Sequence, residues 1–149
     1  MPNLTWDVRV TAASGETARV SARKHRWDVG APLHFDSEYA CVTALEMLLG
    51  ALGSDLVNGL KQRARRRRLE ITHIEASVQG ELDNPLTYLG VVGETGHPGL
   101  RRVAVKVFVS TLASEEETQA VWRETLAGSP LVHTLRPTVN LELQLKIVL

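Results

Sequence analysis

The sequence predicts an α+β fold in which mainly antiparallel sheets surround one long central helix, with a second helix following later in the chain. Three observations carry this. Apolar residues recur at three- and four-residue spacing through Val42–Arg68, the periodicity of a helix buried along much of its circumference. Segments of strict apolar–polar alternation lie on both sides of that helix. Strands gathered before and after a helix, rather than alternating with helices one by one, favour antiparallel pairing.

Taken in order, Leu4, Trp6, Val8 and Val10 alternate with Thr5, Asp7 and Arg9, predicting a half-buried strand. Ala13–Gly15 reads as a turn, Ala18–Arg23 as a second strand returning antiparallel, and Lys24–Val29 as a third with Trp27 and Val29 on one face. The loop Gly30–Glu38 contains Pro32 and leads into the central helix. There Leu45, Leu48, Leu49, Leu52, Leu56 and Leu60 build the apolar face, widened by Ala44, Ala51 and Val57. Gly50 and Gly53 each cost about 1 kcal/mol relative to alanine, so they are expected to mark a bend or a close backbone approach. The helix ends in Lys61, Arg63, Arg65, Arg66, Arg67 and Arg68. Ile74, Ala76 and Val78 then predict a strand of about eight residues. Asp83–Leu100, with Asn84-Pro85, four glycines and Pro98, reads as a long surface excursion. Val103, Val105, Val107 and Val109 place a strand at Arg102–Thr111. Ser114 three residues before Glu117 is a capping box, opening a second helix whose inner face holds Ala120, Val121 and Leu126 and which ends at Gly128. Val139, Leu141, Leu143, Leu145 and Ile147 close the chain on a strand.

At 149 residues the chain is expected to form a single domain over positions 1–149. Seventeen basic and seventeen acidic side chains cancel, so attraction to nucleic acid would have to come from a local patch and is not expected. The only cysteine, Cys41, rules out a disulfide or thiolate metal cluster within one chain. The five histidines lack metal-ligand spacing, and neither a metal nor a cofactor is expected. The N-terminus lacks the pattern of a secretory leader, and no run of about 18 apolar residues exists. The expected location is the cytoplasm, with no membrane partner.

This order of elements, with LEMLLGALGSDL in the central helix and SPLVHTL after the second, resembles the OsmC/Ohr family (osmotically inducible protein C and organic hydroperoxide resistance). Glu46, Leu48, Leu49, Ala51, Leu52, Gly53 and Leu56 match the helix pattern E-(L)-L-x-A-L-(G)-x-C-L, and Pro130, Thr134 and Leu135 match C-P-V-x-x-T-L. The resemblance covers roughly Gly30 to Leu149. It implies an intertwined homodimer with two sites at the subunit interface. It also implies a peroxidase chemistry of the oxidative stress response, in which one cysteine attacks an organic hydroperoxide and a second resolves the sulfenic acid. An arginine and the helix glutamate hold the first thiolate.

At the decisive places this sequence departs from the pattern. The alignment puts Asp55 at the first cysteine and Ser129 at the second. A carboxylate attacks a peroxide bond poorly, and a serine cannot form a disulfide, so the two-cysteine cycle cannot run. The resemblance therefore leaves Asp55, Ser129 and Glu46 as positions of a dimer-interface pocket for a small apolar or thiol-bearing ligand. Arg19 is taken as the pocket arginine from among Arg9, Arg19, Arg23 and Arg26.

Other readings stay open. Asp55 is either a hydrogen-bonded polar plug or a ligand-binding or catalytic carboxylate. Glu46 and Asp55 would lie on opposite faces of an unbroken helix, so as a carboxylate pair they need a bend at Gly50 and Gly53 or a second subunit. Cys41, about 21 Å from Asp55 if the segment between them is helical, is either a semi-buried thiol or the nucleophile of a one-cysteine peroxidase. The run Arg63, Arg65, Arg66, Arg67 and Arg68 is either a solvated helix end favoured by the dipole or a binder of anionic partners. A hydrolase triad of Asp55, Ser129 and His133 is disfavoured, because Ser129 lies in Gly-Ser-Pro rather than in a nucleophile elbow.

Overall fold

The computed structural model describes residues 4–148. The chain divides into two compact units, Met1–Leu48 and Leu49–Leu149.

The first unit holds a three-stranded sheet of β1 (Arg9–Ala12), β2 (Ala18–Ala22) and β3 (His25–Val29), antiparallel in that order. The register aligns Val10, Val20 and Trp27 across the strands, so one face is apolar and the other carries Arg9, Arg19 and Arg26. The first strand starts later than its alternation predicts. Leu4–Val8 lie outside any strand, and Leu4 and Trp6 are 70% and 84% exposed. Alternation makes a strand only where a partner exists, and β2 is already turning at Arg23, which takes φ 54.

A 23-residue helix, α1 (Ala44–Arg66), starts in the first unit and runs through the second. It passes Gly50 and Gly53 without a break. Gly53 is a close approach, since a Cβ there would sit 3.0 Å from Val78 Cγ2, whereas a Cβ at Gly50 would meet nothing within 4 Å. The helix closes through a left-handed Arg68 (φ 55), with the Leu69 N–H donating to the Ala64 carbonyl.

The second unit is built on β4 (Ile71–Leu82), β5 (Leu100–Thr111) and β6 (Asn140–Val148). β4 runs antiparallel to β5, and β5 runs parallel to β6. Mainly antiparallel pairing thus holds. The parallel pair arises because the chain crosses over through α3 (Glu115–Ala127) and α4 (Pro130–Leu135) before returning to the sheet. β4 has twelve residues rather than about eight, because β5 supplies a partner along its whole length. The excursion after it contains one short helix, α2 (Pro85–Tyr88), capped by Asn84.

Val103, Val105, Val107 and Val109 on β5 are buried against Leu52, Leu56, Leu60 and Ala64 of α1, Val121 and Trp122 of α3, and Val132 of α4. The capping box Ser114–Glu117 opens α3 as the sequence indicates. Its inner face is Thr118, Val121, Trp122 and Thr125, while Ala120 and Leu126 are only partly buried. Both threonines satisfy their hydroxyls on the carbonyl four residues back, Thr118 on Ser114 and Thr125 on Val121, which is why polar residues sit inside. No helix among the described residues is long and apolar enough to cross a membrane.

Candidate functional site

Asp55 and Ser129, 74 positions apart in sequence, are in direct contact. Gly53 lets α1 settle on the sheet, and Leu52 and Leu56, both buried, fix the rotation of the helix, so that Asp55 between them is only partly covered. Ser129 is the N-cap of α4, with Pro130 in its first turn. The Val132 N–H donates to Ser129 Oγ at 3.0 Å, and the Ser129 hydroxyl donates to Asp55 Oδ2. With 3% exposure and both lone-pair and proton engaged, Ser129 is a held positioning group rather than a free nucleophile. The other oxygen, Asp55 Oδ1, accepts no hydrogen bond from the described residues.

The pair sits in an open cleft of about 470 Å³ between α1 and the α3–α4 junction. Ser54, Asn58, Gln62, Arg63 and Thr125 line it together with Asp55 and Ser129, and Ala51, Gly59, Gly128 and Pro130 complete it. The lining is polar, and it carries one carboxylate and one guanidinium. Arg63 bends back along its own helix, Nη1 donating to the Gly59 carbonyl at 3.3 Å, and its guanidinium lies over Gly128 so closely that a Cβ there would collide with Nη2. Arg63 therefore belongs to the cleft, apart from the rest of the arginine run. Sequence periodicity marks the polar stripe Ser54, Asn58 and Gln62 at four-residue spacing, but nothing in it separates Arg63 from the arginines that follow.

Glu46 does something else. It is the fourth member of a capping box at the start of α1, accepting from the Thr43 N–H at 3.0 Å and the Thr43 hydroxyl at 2.8 Å, while its own N–H donates to Thr43 Oγ1 at 3.2 Å. The Thr43 backbone bond, and then its hydroxyl, hold the Glu46 carboxyl below the ordinary glutamate range. The signature Thr-Ala-Leu-Glu was present in the sequence. Because α1 is unbroken, nine residues at 100° each leave Glu46 and Asp55 on opposite sides of the helix. The bend that would pair them does not occur.

Cys41 precedes α1, partly buried, in a small hollow of about 230 Å³ with His34, Tyr39, Thr43 and Glu46. Gly30 makes room for it, as a Cβ at Gly30 would lie 2.6 Å from Cys41 Cβ. The Tyr39 hydroxyl accepts from the Ala31 N–H, and its ring stacks on His34 at 3.9 Å.

Arg19 is engaged with Asp28 on the neighbouring strand at 2.9 Å, a bond that lowers the Asp28 carboxyl below the ordinary aspartate range. Of the arginine run, Arg67 pairs with Glu124, Arg67 and Arg68 border a second hollow with Glu70 and Glu117, and Arg65 and Arg66 are exposed. His133 Nε2 is 2.8 Å from the Ala127 carbonyl, so the ring is not joined to Ser129 and no triad forms. Among the described residues no group of three or more His, Cys, Asp or Glu could hold a metal ion.

Solved structures share this fold. An OsmC-like protein from Mycoplasma pneumoniae superposes with a TM-score of 0.81 at 16% identity, covering 100% of each chain. An organic hydroperoxide resistance protein OsmC from Legionella pneumophila gives 0.66 at 12% identity over 97% of this chain and 99% of that one. The organic hydroperoxide resistance protein OhrB of Bacillus subtilis gives 0.60 at 18% identity over 95% and 98%. No curated protein matches. The model of the OsmC-like protein family matches residues 35–144, a span that includes the cleft, both of its partners Asp55 and Ser129, and nearly all of the second unit. This chain belongs to the OsmC-like protein family.

Proposed function

We propose that this protein is a single-domain, cytoplasmic OsmC-like homodimer. It is related to the hydroperoxide reductases of the oxidative stress response, lacks two-cysteine peroxidase activity, and binds a small molecule at the Asp55–Ser129 cleft. The observation that carries the reading is the hydrogen bond from Ser129 to Asp55. The two positions that the family pattern gives to cysteines are adjacent in space, as a redox pair would have to be, yet they hold a carboxylate and a hydroxyl. The contact survives while the redox chemistry is replaced by a charge-assisted hydrogen bond. The polar lining and the unused Asp55 Oδ1 favour a ligand with hydrogen-bonding groups over a purely apolar one.

The apolar face of the first sheet supports self-association, with Val10 58% and Trp27 37% exposed. A lone thiol without a disulfide partner suits a reducing compartment.

The test is consumption of an organic hydroperoxide with excess dithiol, for the wild type and Cys41→Ser side by side. The expected result is no turnover above buffer in either. Turnover that vanishes with Cys41→Ser would replace this reading with a one-cysteine peroxidase.

A further inference from the structure

A second charged feature is independent of the cleft. We propose that the polar face of the β1–β3 sheet is a binding site for a small anion carrying two or more adjacent phosphate groups. The register sets Arg9 and Arg26 on the outer strands, both opposite Ser21 on the middle one, and sets Thr11 and Asp28 on either side of Arg19. Two inter-strand spacings separate Arg9 from Arg26, about 10 Å at the backbone, so two long side chains can close on one ligand over the Ser21 hydroxyl. Arg23 follows on the same side at the β2–β3 turn. All four arginines line one open hollow of about 760 Å³ together with Asp7, Thr11 and Ser21.

Among the described residues only Arg19 is neutralised there, by Asp28. The side chains of Arg9, Arg23 and Arg26 form no ion pair or hydrogen bond among the described residues. Arg19 lies diagonal to Arg9 and to Arg26 rather than opposite either, a separation that long side chains still bridge, so their like charges repel across the face, and Arg23 holds a left-handed φ of 54 that a side chain rarely adopts. A bound anion relieves that repulsion, and the planar guanidinium fork matches phosphate oxygens two at a time. Hydroxyls of Thr11 and Ser21 supply further donors between the cations. The arginines ending α1 are a poorer site, since Arg63 folds onto Gly59, Arg67 pairs with Glu124, and Arg65 and Arg66 diverge around the helix. A chain with no net charge has no general attraction for polyanions, which favours a small ligand over a nucleic acid.

Calorimetric titration of the full chain with inorganic triphosphate, and separately with inorganic phosphate, tests this. Triphosphate is expected to bind at least about tenfold more tightly than phosphate, and to weaken steeply as salt is raised. Arg9→Gln/Arg26→Gln is expected to weaken it by about tenfold or more, while Arg65→Gln/Arg66→Gln leaves it unchanged. Should the double variant fail to fold, Arg23→Gln alone carries the loss. Asp28→Asn, which frees Arg19, is expected to tighten binding. Absence of triphosphate binding, equal affinity for the two anions, or a loss that follows Arg65 and Arg66 instead would overturn the proposal.

Discussion

Replacing Ser129 with alanine removes two interactions at once, and their sum can be worked from the structure. The Ser129 hydroxyl donates to the Asp55 carboxylate, and hydrogen bonds to charged groups contribute about 1.5–3 kcal/mol. Asp55 is only partly covered, so water can take the place of Ser129 and the low end applies. The same oxygen caps α4 by accepting from the Val132 N–H, and loss of an N-cap costs about 1 kcal/mol. Ser129→Ala should therefore lower stability by about 2–2.5 kcal/mol. Asp55→Asn keeps an acceptor but not the charge, and should cost about 1 kcal/mol, because charge-assisted bonds are roughly twice as strong as neutral ones. The two substitutions act on one contact, so their double-mutant cycle should show coupling of about 1 kcal/mol. Urea denaturation followed by circular dichroism at pH 7, at one fixed protein concentration so that self-association does not move the midpoint, reads all three values. A Ser129→Ala cost under about 0.5 kcal/mol, or a cycle that closes additively, would refute the claim that Ser129 and Asp55 hold each other.

Four further outcomes are expected. Asp55→Cys/Ser129→Cys in a Cys41→Ser background should lose two titratable thiols without dimerising covalently when treated with an organic hydroperoxide, since the two positions touch; retained thiols would show that the alignment of Ser129 is wrong. Leu56→Ala, at a side chain with no exposure, should cost about 3 kcal/mol in the same denaturation assay. Gly50→Ala should stabilise by about 0.5–1 kcal/mol, whereas Gly53→Ala should gain less, because its new methyl meets Val78. Arg101 holds Glu81, and Arg102 holds Glu142, below the ordinary carboxylate range; as the folded values lie below the unfolded ones, the stabilisation is complete above that range and is lost as the pH falls through it. The melting temperature should therefore be level near neutrality and decline on acidification, and Arg102→Gln should shallow that decline.

Local patterning determined much of this protein. The valine alternation of β5, the α1 residues Leu52, Leu56 and Leu60 and the Ser114–Glu117 box each encode their element in neighbouring residues and appear where the sequence puts them. Ala44, Leu48 and Ala51, predicted on the same apolar face, are instead exposed, because α1 buries only the narrower stripe of Leu52, Leu56, Leu60 and Ala64. That the chain carries a single cysteine, Cys41, is likewise a fact of the sequence alone. Thr43–Glu46 was equally local, and it explains Glu46 as a cap. The tertiary structure decided the rest. Leu4, Trp6 and Val8 alternate like a strand, but no ladder reaches them, and a strand exists only through its partner. β6 is parallel to β5 because of where two intervening helices deliver the chain, which no residue of β6 records. Arg63 looks in sequence like any other member of a basic run. Its guanidinium enters the cleft because Gly59 and Gly128, 69 positions apart, leave space for it. Asp55 and Ser129 meet for the same reason, as a polar contact is made in space by packing that the chain forms elsewhere.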